Sequence, residues 1–329
     1  MKILCTQEFP GDVRMLGSVA AAAPSDMEFV LLPQLRNLLK SPGLFQEYLQ
    51  DADALLTCHL WAPEALRKLF PTLPLVFMPH NACPVKAHYW FPKVLQVADL
   101  YLCTGNSLRR KTRLLDPGAR VVDVPYPRLE EYSRVEKKSD APKYDLVFAC
   151  TSYAHYGPLM GIPNESACWH DLIPELATRG FRIAVLKHQD DVDLKEISGV
   201  DYFDQPNPKI LFAGKAVISD IASNGLIAAA LGKPVFQVVD SLGAIEPRLA
   251  SHRGFLEEVF DIGPRFGRDW TLDNLDQFHP FGEQHGDLWE RFQQRISDHI
   301  NRQLEPSEFY VRLAKALVSF RKHETAVSG

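Results

Sequence analysis

The six cysteines, at positions 5, 58, 83, 103, 150 and 168, include no CxxC pair. Most stand in or beside apolar runs, where cysteine acts as a small hydrophobe. That pattern disfavours both a disulfide framework and a thiolate metal site, and it suits a reducing compartment. Basic residues are not in excess. Lys and Arg number 36 against 41 Asp and Glu, for a net charge of −5, the wrong sign for a nucleic-acid-binding surface. No apolar run reaches the roughly 18–20 residues of a membrane span. The opening MKILCTQEFPGDV has a single Lys and meets Gln7 and Glu8 too soon to read as a signal peptide. A cytoplasmic protein is the expectation. Gly-rich phosphate fingerprints are also missing: FPGDVRMLGS, after the first strand, holds neither G-x-G-x-x-G nor GK[ST]. Gly-x-Ser-x-Gly is absent, which removes the usual serine-hydrolase reading. The D-x-D patterns at Asp51/Asp53 and Asp191/Asp193 sit in polar connections where chance matches are common, so no metal is expected. No internal repeat or low-complexity tract is present.

What is there is an ordinary globular composition, 46% hydrophobic and 23% charged, over 329 residues. That length exceeds what one core usually serves, and two domains are the natural prior. Up to residue 125 short apolar runs (2–5, 28–32, 54–58, 75–78, 100–103 and 121–124) alternate with helix-compatible stretches (13–23, 44–49, 63–69 and 86–97). Such alternation predicts a doubly wound parallel α/β sheet. Residues 126–143, YPRLEEYSRVEKKSDAPK, are polar, charged and bracketed by prolines, which suits an interdomain linker. A second alternation follows, with strands at 144–150, 182–186, 201–203, 216–219 and 235–239 and helices at 167–178, 208–213 and 225–231. The end is helical. Leu288, Phe292, Ile296 and Ile300 recur at i, i+4, and a Pro-initiated helix from 306 to about 322 places Phe309, Leu313, Leu317 and Phe320 on one face. The expected organisation is a Rossmann-like domain (1–125), a linker (126–143), a second Rossmann-like domain (144–305) and a C-terminal helix and tail (306–329).

Ligands of open α/β sheets bind at the carboxyl ends of strands. The segment 216–240, AVISDIASNGLIAAALGKPVFQVVD, is the most informative of these exits: a buried strand breaks into a polar turn and opens a small-residue helix. A helix start leaves backbone N–H groups without intrahelical partners and attracts phosphate, with Ser219, Ser223, Asn224 and Gly225 as the candidates. The alternative is a plain cap by Ser223 or Asn224. Pro79-His80-Asn81 follows another strand, and Lys187-His188 a third; each histidine can serve as a base or a phosphate donor, or be a solvated loop residue. The loop 151–164, TSYAHYGPLMGIPN, is long, aromatic and rich in Gly and Pro. It reads as a binding loop or lid using Thr151, Tyr153 and His155, or as surface. Thr104-Gly105-Asn106-Ser107 opens a basic helix and can hold an anion or merely cap. Glu8 and Asp12 qualify as carboxylate bases by position alone. Trp90-Phe91, near Lys86 and Lys93, reads as core aromatics, a glycan platform or a membrane-surface contact.

Four blocks, in order over roughly residues 75–240, resemble those of the CDP-glycerol glycerophosphotransferase family, whose members make teichoic acids and related capsule polymers. VISDIASNGLIAAALGKPVF (217–236) is similar to that family's TDYSS…D…GKPV block. Phe77-Met78-Pro79-His80-Asn81 with Lys86 is similar to its WHG…K block, Val124-Pro125-Tyr126-Pro127-Arg128 to GYPR-x-D, and Leu186-Lys187-His188 to L-(R/K)-x-H. The chain departs from the pattern in three places: Asn follows His80, the turn reads Asp-Ile-Ala-Ser-Asn, and Ala-Cys-Thr-Ser-Tyr replaces APTWR.

The resemblance implies a GT-B architecture, two Rossmann-like domains facing a cleft, with the donor held mainly by the second. It implies His80 and His188 at the reacting centre and Ser219, Ser223 and Asn224 at the phosphate, to which the reading of the strand exits adds Lys187 and Gly225. It also implies a transferase without cofactor or metal, using a nucleotide-sugar or CDP-polyol donor and a glycan or lipid-linked acceptor in cell-envelope polysaccharide synthesis, at the inner face of the membrane. UDP-, GDP- and CMP-linked donors share that layout. Two other readings stand beside it: a non-hydrolysing sugar-nucleotide epimerase, and a non-catalytic nucleotide-sugar-binding protein of the same fold.

Overall fold

The structure, a computed structural model, describes residues 1–8, 10–41, 43, 46–58, 63–79, 97–137, 141–150, 168–188, 195–220, 222–238, 262–263 and 286–328. The chain divides into two compact units, Met1–Glu131 with Asp298–Gly329, and Tyr132–Ser297.

The first unit is built on β1 (Lys2–Gln7), β2 (Glu28–Gln34), β3 (Ala54–Thr57), β4 (Leu75–Phe77), β5 (Leu100–Cys103) and β6 (Val121–Asp123). They form a six-stranded sheet in the order β2-β1-β3-β4-β5-β6, parallel at every pairing. Consecutive residues Ile3, Leu4 and Cys5 are all fully buried, which happens only when both faces of a sheet are covered. Helices α1 (Pro10–Ala21), α2 (Leu35–Lys40), α3 (Gln46–Leu49), α4 (Pro63–Leu69) and α5 (Asn106–Leu115) lie between the strands in sequence. Leu4, Leu55 and Leu75 from three strands pack with Leu38, Leu66 and Phe70 in one core cluster.

The second unit opens with α6 (Arg128–Glu136), which begins in the first unit's last residues. The stretch expected to be a polar linker is therefore helical over much of its length. Glu130 and Glu131 in its first turn suit the helix dipole, and Tyr126 and Tyr132 are buried. Then come β7 (Tyr144–Phe148), α7 (Cys168–Thr178), β8 (Ile183–Lys187), β9 (Asp201–Asp204), α8 (Pro208–Phe212), β10 (Gly214–Ser219), α9 (Ser223–Ala230) and β11 (Val235–Gln237). The sheet order is β11-β10-β7-β8-β9, again all parallel. Phe148, Val185, Ile218 and Phe236 share one face and pack with Ile173 and Leu176 of α7.

Helix α10 (Gly286–His299) leads into residues that belong to the first unit. Asn301 donates its side-chain N–H groups to the carbonyls of Cys103 (3.1 Å) and Val124 (3.0 Å), and its backbone N–H to Thr104 O (2.7 Å). The last helix, α11 (Glu308–Ser328), buries Phe309, Leu313 and Leu317 at i, i+4, i+8. Its Tyr310 hydroxyl donates to Val19 O at 2.7 Å. No described helix is long and apolar enough to cross a membrane.

Candidate functional site

Each strand order reverses direction once. In the second unit the chain runs outward from β7 through β8 and β9, then returns to lay β10 on β7's other side. Beside β7 and β10 at their carboxyl ends lies the crevice that open α/β sheets use for ligands. The chain leaving β10 passes Asp220, whose Oδ1 accepts the Ala222 N–H at 2.8 Å, and enters α9. Ala222 is the N-cap. It contributes no side-chain hydrogen bond, and the first turn of α9 holds no acidic residue. Ser223 and Asn224 stand inside the helix, so the plain capping role open to them from sequence is not the one they take. What remains is a helix start at a switch point, with the electrostatics that favour an anion.

Side chains expected at the phosphate take different positions. Ser219 is fully buried and its hydroxyl donates to Ala149 O at 2.9 Å. With its proton committed and no exposure, it packs the helix rather than meeting a phosphate; the direct contact expected of it is corrected. Gly225 is needed at that spot because a Cβ there would lie 2.4 Å from Ser219 Oγ. Its N–H donates to Ala222 O at 3.1 Å. Asn224, 8% exposed, accepts from the Tyr132 hydroxyl (3.2 Å) and donates to Gln205 Oε1 (3.1 Å). Gln205, at the exit of β9, in turn donates to Cys150 O (2.9 Å) and Leu186 O (2.7 Å) beyond β7 and within β8. Neither Gln205 nor Tyr132 carries a local signal in the sequence. Gln237 was also missed. It pairs with Ser219 across β10 and β11, accepts the Ile262 N–H (3.1 Å), and keeps a buried Nε2 with no hydrogen-bond partner among the described residues.

Lys187 turns away from α9. In β8 it shares a face with Ile183 and Val185, which pack in the α7-side core, and its ammonium bonds Glu196 at 2.7 Å with Tyr202 beneath it. The Glu196 hydrogen bond holds its pKa above the ordinary lysine value. Strand alternation thus removes Lys187 from the phosphate set. His188 follows directly, half-buried at the exit of β8.

The first unit has its own switch point between β1 and β3. Thr6 and Thr57 pair across it and both are fully buried; Thr6 Oγ1 has no hydrogen-bond partner among the described residues. Glu8, 4% exposed, is ion-paired to the Arg36 guanidinium and also accepts the Arg36 backbone N–H (3.1 Å). Both its oxygens are occupied, so the structure gives it a holding role. Fully buried Asp12 accepts the Glu8 N–H at 3.2 Å. Burial, with Asp12 and Cys5 adding, pushes the Cys58 thiol well above its usual range. The Thr104–Ser107 turn is covered rather than open to an anion: a Cβ on Gly105 would overlap His299 O, and Ser107 Oγ lies 2.8 Å from His299 Nδ1. His80, Asn81, Lys86, Trp90-Phe91, Thr151, Tyr153, His155 and Asp191/Asp193 lie outside the described residues.

No family model and no curated protein matches this sequence. Solved structures do. A UGT transferase from Siraitia grosvenorii in complex with UDP matches with a TM-score of 0.58 at 9% identity, covering 96% of this chain and 99% of that one. Wall teichoic acid polymerase TagF matches with 0.57 at 12% identity, over 98% and 90%. Medicago truncatula UGT71G1 complexed with UDP-glucose gives 0.51 at 9%, over 97% and 98%. The fold is GT-B. At such identities the likeness covers fold alone, with two Rossmann-like α/β domains, the second of order β11-β10-β7-β8-β9. In this GT-B chain the α9 start and the carboxyl ends of β7 to β10 make up the candidate site.

Proposed function

We propose that the protein is a GT-B transferase that takes a nucleotide-activated donor and passes a glycosyl or glycerophosphate-type group to a glycan or polymer acceptor. One observation carries this reading: the β7/β10 switch point opens onto a helix whose N-cap offers no capping side chain and whose first turn holds no acid. The donor's phosphate is assigned to that helix start, near Ser223 and Asn224, with His188 at the neighbouring exit. Negative charge growing on the leaving nucleotide would be met there by backbone dipoles that need no reorganisation. His80 is the proposed base for the acceptor hydroxyl, and Thr151, Tyr153 and His155 the proposed donor or acceptor loop. The fold neighbours with UDP and UDP-glucose support a nucleotide donor, and the wall teichoic acid polymerase TagF, also solved with CDPG, supports a polymer-forming branch.

The test is a thermal-shift screen against CDP-glycerol and UDP-, GDP- and CMP-linked sugars. A donor at 100 times its dissociation constant raises stability by about 2.7 kcal/mol. No shift with any of them would refute the reading. Incubation of a shifting donor without acceptor separates transfer from epimerisation, because an epimerase converts its nucleotide sugar alone.

A further inference from the structure

The helix start assigned to the donor is tied to the ends of three strands through one side-chain amide. Both N–H groups of Gln205 are spent on carbonyls, those of Cys150 (2.9 Å) and Leu186 (2.7 Å), and its oxygen accepts from Asn224 in the first turn of α9 (3.1 Å). Its backbone N–H is tied down by Lys187 O at 2.8 Å. Asn224 is steadied from its other end by the Tyr132 hydroxyl, whose ring stacks edge-on against Phe212 with centroids 6.3 Å apart. One residue therefore joins the exits of β7, β8 and β9 to α9, four of the elements whose ends border the candidate seat. A network in which every polar group is satisfied is rigid, and it loses that rigidity when one member is removed.

We infer that Gln205 is a positioning residue: through Asn224 it fixes where the first turn of α9 stands against the carboxyl edge of the sheet, and so sets donor affinity. The inference rests on the donor reading given above. Helix-terminus binding depends on N–H direction and falls off within one turn, so a small displacement is felt by an anion before it is felt by the core. Only an amide supplies two donors and an acceptor in this geometry.

The test uses Gln205→Glu in the full chain. Its carboxylate faces two carbonyl oxygens with no proton to offer, which raises its pKa; on protonation one O–H returns to one of them. Donor Kd relative to wild type is expected to be about tenfold weaker near pH 8 and to recover towards wild type near pH 5. A purely structural residue would shift the melting temperature without this pH-dependent ratio. Tyr132→Phe keeps the ring and drops the Asn224 bond, so it serves where Gln205→Glu does not fold, with about threefold weaker binding expected. Backbone amide exchange at residues 223–226, read without donor, is expected to quicken in either variant. Wild-type affinity and unchanged exchange in both variants would overturn the inference. Wild-type protein that binds none of the donors would overturn the seat, while exchange would still decide whether Gln205 positions α9.

Discussion

Gly225 and Ser219 approach so closely that a Cβ on the glycine would lie 2.4 Å from the serine hydroxyl and 2.6 Å from its Cβ. The contact brings α9 down onto β10. Gly225→Ala is expected to cost about 1–3 kcal/mol by overpacking. Adding Ser219→Gly clears the clash and recovers part of that loss. Urea unfolding of the two variants measures it; a single variant as stable as wild type would contradict the approach.

For the proposed chemistry, His80→Ala should lower turnover by about 10² or more while leaving donor affinity near wild type, as loss of a base does. Ser223→Ala should instead weaken donor binding. Calorimetric titration and steady-state rates with a confirmed donor separate the two, and full activity in both would reject the assignments.

Asn301 bridges two strand ends of the first unit by donating to Cys103 O and Val124 O. Asn301→Ala leaves both buried carbonyls without that donor, and about 2 kcal/mol of stability should be lost. Chemical denaturation reads this directly; a change within a few tenths would show that water replaces the amide.

Asp145 gives a pH signature at the opposite, amino-terminal edge of the second sheet. Burial alone would raise its pKa, but hydrogen bonds from Arg182 and Lys215 outweigh this and hold it well below 3.8. A depressed carboxylate adds stability above its unfolded value and loses it as pH falls through the folded one. The melting difference between wild type and Asp145→Asn should therefore be full near neutrality and shrink on acidification below about pH 4. A difference that is flat down to about pH 2 would refute the pairing.

Cys5, Cys58, Cys103 and Cys150 are buried thiols outside any disulfide, and burial raises the thiols of Cys5 and Cys103 to about 12. The thiols of Cys5, Cys58 and Cys103 stay protonated at mild alkaline pH and should resist alkylation until the chain unfolds. Peptide mass spectrometry after brief iodoacetamide treatment, with and without denaturant, checks this. Native labelling at Cys58 would mean that the first sheet opens.

Strands were readable because parallel sheets demand unbroken apolar runs. The run at 100–103 and the strand Leu100–Cys103 coincide, and 75–78 differs from Leu75–Phe77 by one residue. Helix α6 was not readable, since its polar surface and flanking prolines look like a linker while its buried Tyr132 makes contacts far off in the chain. At the candidate site the turn after β10 stood out locally, as a strand breaking into Ser and Asn. Gln205 did not, because its importance lies in carbonyls 55 and 19 residues away. Lys187 misled for a simpler reason: adjacency to His188 suggested a shared target, whereas strand alternation sends its side chain to Glu196.

The first unit is assembled from both ends of the described chain, while the second is one uninterrupted stretch. During synthesis the second can fold as soon as it clears the ribosome. The first must wait, without the Asn301 bonds to Cys103 O and Val124 O and the Tyr310 bond to Val19 O, until Asn301 and Tyr310 emerge. Of the two units, the one translated earlier is thus the one completed last.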